Sequence, residues 1–231
     1  TLQEIRQIII HQHNGLFLHM VSSLINKIEV FGLHFASLDI RQESTVHGKV
    51  LEAISQNQPD LLPGYATLDA VEKMNLLAGI NGTASSEGIT DLVYKDTLES
   101  VMAIKTIQQF NGQEGCSRYI ISQCNSALNA MEVFGLFLLG GWTKEELKID
   151  IVPLFETIGD LQHAAGIMTT LYSHPVYREH LRRRSNRQTI MLGFSDGTKD
   201  GGYLMANWSI YKAKEELTSV SRAYGIDVVF F

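Results

Sequence analysis

Apolar positions along the chain follow two patterns, one at helical spacing and one in short unbroken runs. Ile5, Ile8, Ile9, Leu16, Met20 and Leu24 recur at roughly helical intervals between Thr1 and about Glu29. Gly15 interrupts that stretch, which predicts two helices or one kinked helix. Further helices are predicted over 49–55, 70–77, 92–110, 158–172, 177–184 and 202–224, the break after 172 falling at His174-Pro175. Ser126 is suited to cap another helix, which Gly140-Gly141 would end. Short apolar runs read as strands at 32–40 (GLHFASLDI), in the YIIS of 117–123, and at 150–155, 189–194 and 227–231. Proline and glycine content makes 58–68 a loop, and NGTASSEGIT at 81–90 is the clearest loop of all.

Strands that alternate with helices pair in parallel, either in an α/β barrel or in an open doubly wound sheet. About five strands are predicted, too few to close a barrel of eight. The 231 residues are 45% hydrophobic and 19% charged, enough for one sizeable core. No apolar run reaches the roughly 18 residues of a membrane span, and charges inside TLQEIRQIII do not read as a signal peptide. A net charge of −6 argues against general nucleic-acid binding and leaves room for a local basic pocket. Cys116 and Cys124 lack metal-ligand spacing and read as ordinary reduced thiols. The chain starts at Thr1 without Met and stops in the apolar run IDVVFF, so an excised piece of a longer protein is expected.

In a barrel enzyme, catalytic groups gather at the C-terminal ends of the strands. Three predicted ends carry charge directly after an apolar run: Asp39-Ile40-Arg41-Gln42-Glu43-Ser44, Phe155-Glu156-Thr157 and Ser195-Asp196-Gly197-Thr198-Lys199-Asp200. Carboxylates from different strands can hold a hard divalent cation that keeps positions for substrate oxygens. An arginine suits a phosphate, and a lysine offers a compact charge for a second anion. The set points to metal-assisted chemistry on a phosphorylated acid.

Each group also has a structural reading. Glu156 could simply favour a helix N-terminus. Asp196 and Asp200 could be turn residues. Arg41 could pair with Glu43 or Asp39 on a surface loop. Arg182, Arg183, Arg184 and Arg187 read as a solvated run that complements a helix dipole. His11, His13 and His19 lack both a shared helix face and a matched carboxylate.

Four blocks, in order, resemble phosphoenolpyruvate carboxylase: LDIRQESTVH at 38–47, YIISQC at 119–124, VPLFETIGDL at 152–161 and IMLGFSDGTKDGG at 190–202. The resemblance runs from about Phe31 to Phe231. It departs at Phe194 and Gly197, where the family usually has Tyr and Ser, and at Val46, where Arg is common.

The resemblance implies a helix-rich α/β fold, a partial TIM-type (β/α)8 barrel with about five parallel strands and additional helices. Residues 1–231 would be a single incomplete domain, with 1–30 a helical lead-in and 31–231 barrel strands and helices. It implies that Glu156 and Asp196 bind Mg²⁺ or Mn²⁺, that Arg41 holds the substrate phosphate, and that Lys199 serves as a catalytic and substrate-binding group near bicarbonate. Phosphoenolpyruvate and bicarbonate would give oxaloacetate and phosphate, in a cytoplasmic homotetramer with no nucleic-acid or membrane partner. The family's catalytic histidine motif precedes this region and a Gly/Arg-rich loop follows it, so the isolated chain is expected to be inactive. Two alternatives remain: another metal-dependent phosphoenolpyruvate or pyruvate barrel enzyme, and a non-catalytic scaffold.

Overall fold

A computed structural model describes residues 1–32 and 34–231. The chain falls into two compact units, residues 1–38 with 106–116, and residues 39–105 with 117–231.

The first unit holds α1 (Leu2–Gln12) and α2 (Leu18–Phe31). Thr1 and Glu4 form a capping box at the start of α1. Gly15 at φ 73 turns the chain between the helices, so the predicted break is present as two separate helices. Ile25 is buried, while Ile5, Leu16, Met20 and Leu24 stay exposed.

The second unit is built on five parallel strands: β1 (Asp39–Glu43), β2 (Arg118–Ser122), β3 (Asp150–Phe155), β4 (Arg187–Leu192) and β5 (Asp227–Phe230). Their spatial order is the order of the sequence. The connections carry α3 (Ser44–Asn57), α4 (Ala70–Ala78), α5 (Leu92–Asn111), α6 (Ala127–Leu139), α7 (Ile158–Ser173), α8 (Pro175–Arg183) and α9 (Phe194–Ala223). The boundary between the units falls within α5. The fold is therefore helix-rich α/β with a parallel sheet, as the alternation of patterns implies.

The sheet has two chemically different faces, because side chains alternate along each strand. Ile120 and Val152 lie in register with Arg41 on one face and form a small apolar cluster with Leu154 and Met191. The other face packs on helices through polar contacts as well as apolar ones. Gln42 donates to Thr97 Oγ1 of α5 at 3.2 Å. Tyr119 and His47 of α3 hydrogen bond at 2.9 Å, and Tyr177 of α8 donates to Gln188 at 2.9 Å. Helix α6 is apolar on nearly every side and buried on nearly every side, which is where such a helix is stable.

Three predicted features are corrected. The first strand is 39–43, and the apolar stretch before it is turn and bend, with Phe35 at φ 66; Leu33, which the predicted strand included, lies outside the described residues. Among the described residues β1 pairs only with β2, so the polar sequence DIRQE forms an edge strand that keeps Asp39 and Arg41 exposed. Ser195–Asp200 is helical, the opening turns of α9. The basic run is not wholly solvated: Arg184 is buried against Asp150 at 2.8 Å, while Arg182 stays exposed on Glu179.

Candidate functional site

The site grows from the tip of β3. After Phe155 the chain turns directly into α7, and Thr157 caps that helix. Its Oγ1 accepts from the Asp160 backbone N–H at 3.1 Å, and Asp160 Oδ2 accepts from the Thr157 N–H at 3.0 Å. This reciprocal box fixes the turn that carries Glu156. The Glu156 side chain is 8% exposed overall as a residue, and both of its oxygens are engaged. Oε2 accepts from the backbone N–H of Gln123, just past β2, at 3.0 Å. Oε1 accepts from Arg41 Nη2 of β1 at 2.8 Å. The Ser44 hydroxyl donates to the Gln123 carbonyl at 2.8 Å, tying the tips of β1 and β2 beneath this arrangement.

The tip of β4 lies against the same residue. The Gly193 N–H donates to the Phe155 carbonyl at 2.8 Å. A Cβ on Gly193 would stand 3.0 Å from Glu156 Cα, and one on Gly197 would stand 3.4 Å from the Glu156 carbonyl oxygen. Asp196 thus sits in the first turn of α9, beside the turn that carries Glu156. Its Oδ1 accepts from Lys199 Nζ at 2.8 Å. That bond and the Lys199 charge hold the Asp196 carboxyl below the usual carboxylate range, with a smaller contribution from Arg41. The same pairing raises the Lys199 ammonium.

The four predicted residues are therefore brought together as two ion pairs, with Arg41 acting electrostatically on both carboxylates. Lys199 and Asp196 are open to solvent, Arg41 is half exposed, and Glu156 is sunk beneath them. Arg41 does not take the surface partners considered for it. Asp39 pairs with Arg118 at 3.5 Å, and Glu43 accepts from Thr45. Nor are Asp196 and Asp200 loop residues, since both are helical. Asp200 reaches back to α7 and accepts from the Ile158 N–H at 3.1 Å. His11, His13 and His19 are exposed and lie in the other unit.

Two supporting groups escaped the sequence reading. The Thr157–Asp160 box was detectable from its spacing. The Gln123 N–H was not, because its position depends on a backbone at φ 53 that the sequence does not announce.

Among the described residues no cluster of three or more His, Cys, Asp or Glu side chains is present. Glu156 and Asp196, just past the neighbouring strands β3 and β4, are the two carboxylates that a hard divalent cation such as Mg²⁺ or Mn²⁺ would use here. Such ions need only one or two protein carboxylates and keep waters in their other positions.

The family model for phosphoenolpyruvate carboxylase matches residues 1–231. The chain belongs to the phosphoenolpyruvate carboxylase family. It is 34% identical to the phosphoenolpyruvate carboxylase of Nitrosomonas eutropha over 98% of this chain and 25% of that protein. The Thermosynechococcus vestitus enzyme is 34% identical over 95% of this chain and 23% of the relative. The Azoarcus enzyme is 36% identical over 88% of this chain and 23% of the relative. The chain spans about a quarter of the length of these curated relatives.

Within the family frame, the three departures can be located. Phe194 opens α9, with its ring edge on Tyr203 at 5.9 Å between centroids. Gly197 is buried against the Glu156 carbonyl. Val46 lies in the first turn of α3 and is partly buried.

Proposed function

We propose that this chain forms part of the catalytic (β/α)8 barrel of a phosphoenolpyruvate carboxylase and carries its metal and substrate half-site. Five parallel strands in sequence order, without the reversal that marks a doubly wound sheet, support the barrel reading. The observation that carries the functional reading is the meeting of Arg41 with Glu156, beside Asp196 and Lys199, in a chain of this family.

Glu156 and Asp196 would hold Mg²⁺ or Mn²⁺, which when bound would supply electrophilic stabilisation of developing oxyanion charge. Arg41 offers a planar set of donors to the phosphate of phosphoenolpyruvate. Lys199 offers a mobile positive charge that attracts and orients bicarbonate. Bicarbonate oxygen attacks phosphorus, the bond from phosphorus to the enol oxygen breaks, and carboxyphosphate and the enolate of pyruvate form. Carboxyphosphate loses carbon dioxide and leaves phosphate. The enolate carbon then captures the carbon dioxide and yields oxaloacetate. Holding phosphate and bicarbonate in line turns the first transfer into a local event. Gln123 N–H and the Thr157–Asp160 box keep Glu156 in one orientation, so the ligand does not have to be reorganised at each turnover.

These 231 residues by themselves are not expected to complete the reaction. The test has two arms. Oxaloacetate formation by the purified chain, coupled to malate dehydrogenase, should be absent, and its detection would remove that part of the reading. Titration with Mn²⁺ should show a site that Glu156→Gln and Asp196→Asn each weaken at least tenfold. Unchanged binding in both variants would sink the metal assignment, and no binding at millimolar Mn²⁺ would favour a scaffold.

A further inference from the structure

Each carboxylate of the candidate metal site already holds a side-chain cation. Arg41 Nη2 lies 2.8 Å from Glu156 Oε1, and Lys199 Nζ lies 2.8 Å from Asp196 Oδ1. Two single positive charges thus stand where the proposed function places one double charge. The two pairs differ in depth. Lys199 is 76% exposed and can swing away freely, whereas Arg41 is half exposed and its partner carboxylate is only 10% exposed. The remaining oxygen of Glu156 is held by the Gln123 N–H. Oε1 is therefore the oxygen that a metal would have to take from Arg41.

We infer that Arg41, and to a lesser degree Lys199, are internal counter-ions that compete with the divalent cation for Glu156 and Asp196. The inference rests on the metal reading given above. Like charges repel with an energy that grows as the dielectric falls, so a cation beside the buried Glu156 carboxylate opposes a second cation more than one beside an exposed carboxylate does. Arg41 must leave Oε1 for the metal to bind there, and its donors are then free for an anion. The same residue is thereby adverse to the metal alone and favourable to the phosphate-bearing ligand. Binding free energies are linked, so displacement of Arg41 by either ligand helps the other.

The test is Mn²⁺ titration of the purified protein, read by the loss of the free-ion electron paramagnetic resonance signal, without substrate. Arg41→Gln is expected to bind Mn²⁺ about three- to tenfold more tightly than the parent, and Lys199→Gln about twofold. Arg41→Lys, which retains the charge, should stay within about twofold of the parent and serves as the fold control. With Mn²⁺ saturating, phospholactate should bind Arg41→Gln more weakly than the parent. The inference is overturned if Arg41→Gln binds Mn²⁺ equally or more weakly while Glu156→Gln loses the site. If Glu156→Gln and Asp196→Asn both bind as the parent does, it is the metal reading itself that fails.

Discussion

Asp200 and Ile158 are joined by a hydrogen bond in which the Asp200 carboxylate accepts from the Ile158 backbone N–H at 3.1 Å. Ile158 is the first residue of α7, so its N–H has no partner within that helix. Asp200 lies one turn beyond Asp196 on α9. The bond therefore ties the helix that carries one candidate metal ligand to the turn that carries the other. Asp200→Ala should lower stability by about 1 kcal/mol, the cost of a lost cap-like bond. It should also weaken Mn²⁺ binding about fivefold by loosening Glu156 relative to Asp196. Asp200→Asn keeps an acceptor oxygen and should restore most of the affinity. Parent-like Mn²⁺ binding by the alanine variant, measured by calorimetry, would show that the tie does not position the site.

Gly197 and Gly202 have opposite expectations although they lie in one helix. Gly202 sits at φ 79 and ψ 167, a region that essentially only glycine occupies. Gly202→Ala should destabilise by about 1–3 kcal/mol. Gly197 has helical backbone, and a Cβ there would meet its nearest neighbour, the Glu156 carbonyl oxygen, at an ordinary 3.4 Å. Gly197→Ala should therefore stabilise by up to about 1 kcal/mol, through helix propensity. Gly197→Ser, which introduces the family's usual residue, should be tolerated. Urea unfolding separates these cases, and a loss of stability in Gly197→Ala would mean that the Glu156 turn cannot accept even one methyl.

The contrast between these glycines shows what the sequence could and could not reveal. Glu156 and Asp196 stood out because each follows an apolar strand directly, a local signal. Their mutual approach was not local. It depends on Gly193 and Gly197, four positions apart, lying against the Glu156 turn. The composition of SDGTKDGG suggests a loop, yet residues 195–201 are helical, with Gly197 and Gly201 lying against Glu156 and Ile158, and Gly202 alone departs from helical backbone. Arg41 is legible as a chemical group, but hydrophobicity ends the first strand at Ile40, whereas Arg41 lies in the middle of β1. Hydrophobicity was the strand signal, and β1 is a polar strand whose Arg41 reaches the buried Glu156. The partner of Arg184 was hidden for a similar reason, since a run of arginines looks solvated until the fold supplies Asp150.

Arg184 and Asp150 make an ion pair at 2.8 Å with both side chains only 10% exposed. Asp150 also accepts from Thr189 Oγ1, and Arg184 donates to the Arg187 carbonyl at 3.2 Å. The pair thus links the starts of β3 and β4. Removing one member leaves the other charge buried without its counter-ion, which costs about 3–5 kcal/mol. Arg184→Ala should lose that much against a total stability of about 5–15 kcal/mol. Arg184→Met combined with Asp150→Leu should cost markedly less than the sum of the single changes, because no charge is left alone. Additive effects in the double-mutant cycle would show that the two groups are not coupled.

Two buried histidines should make the protein acid-sensitive well above the carboxylate range. His47 and His180 are both lowered to about 3 by burial, with the Arg184 charge a lesser contribution at His180. His180 lies between the rings of Phe134 and Tyr177. Their folded-state pKa lies below the unfolded value of about 6.5, so the unfolded chain binds the proton more readily. The stability is fully present above about pH 6.5 and is lost as the pH falls from there toward 3. Each histidine then contributes a slope of about 1.4 kcal/mol per pH unit, or about 2 kcal/mol between pH 7 and 5. Glu132 works in the opposite sense, because burial raises its pKa and the folded state gains a proton there. Urea midpoints from pH 7 to 5 should therefore fall steeply in the parent. His180→Leu, which carries no titrating ring, should remove about half of the histidine contribution to that fall. An unchanged slope in His180→Leu would mean that His180 does not stay neutral and buried down to pH 5.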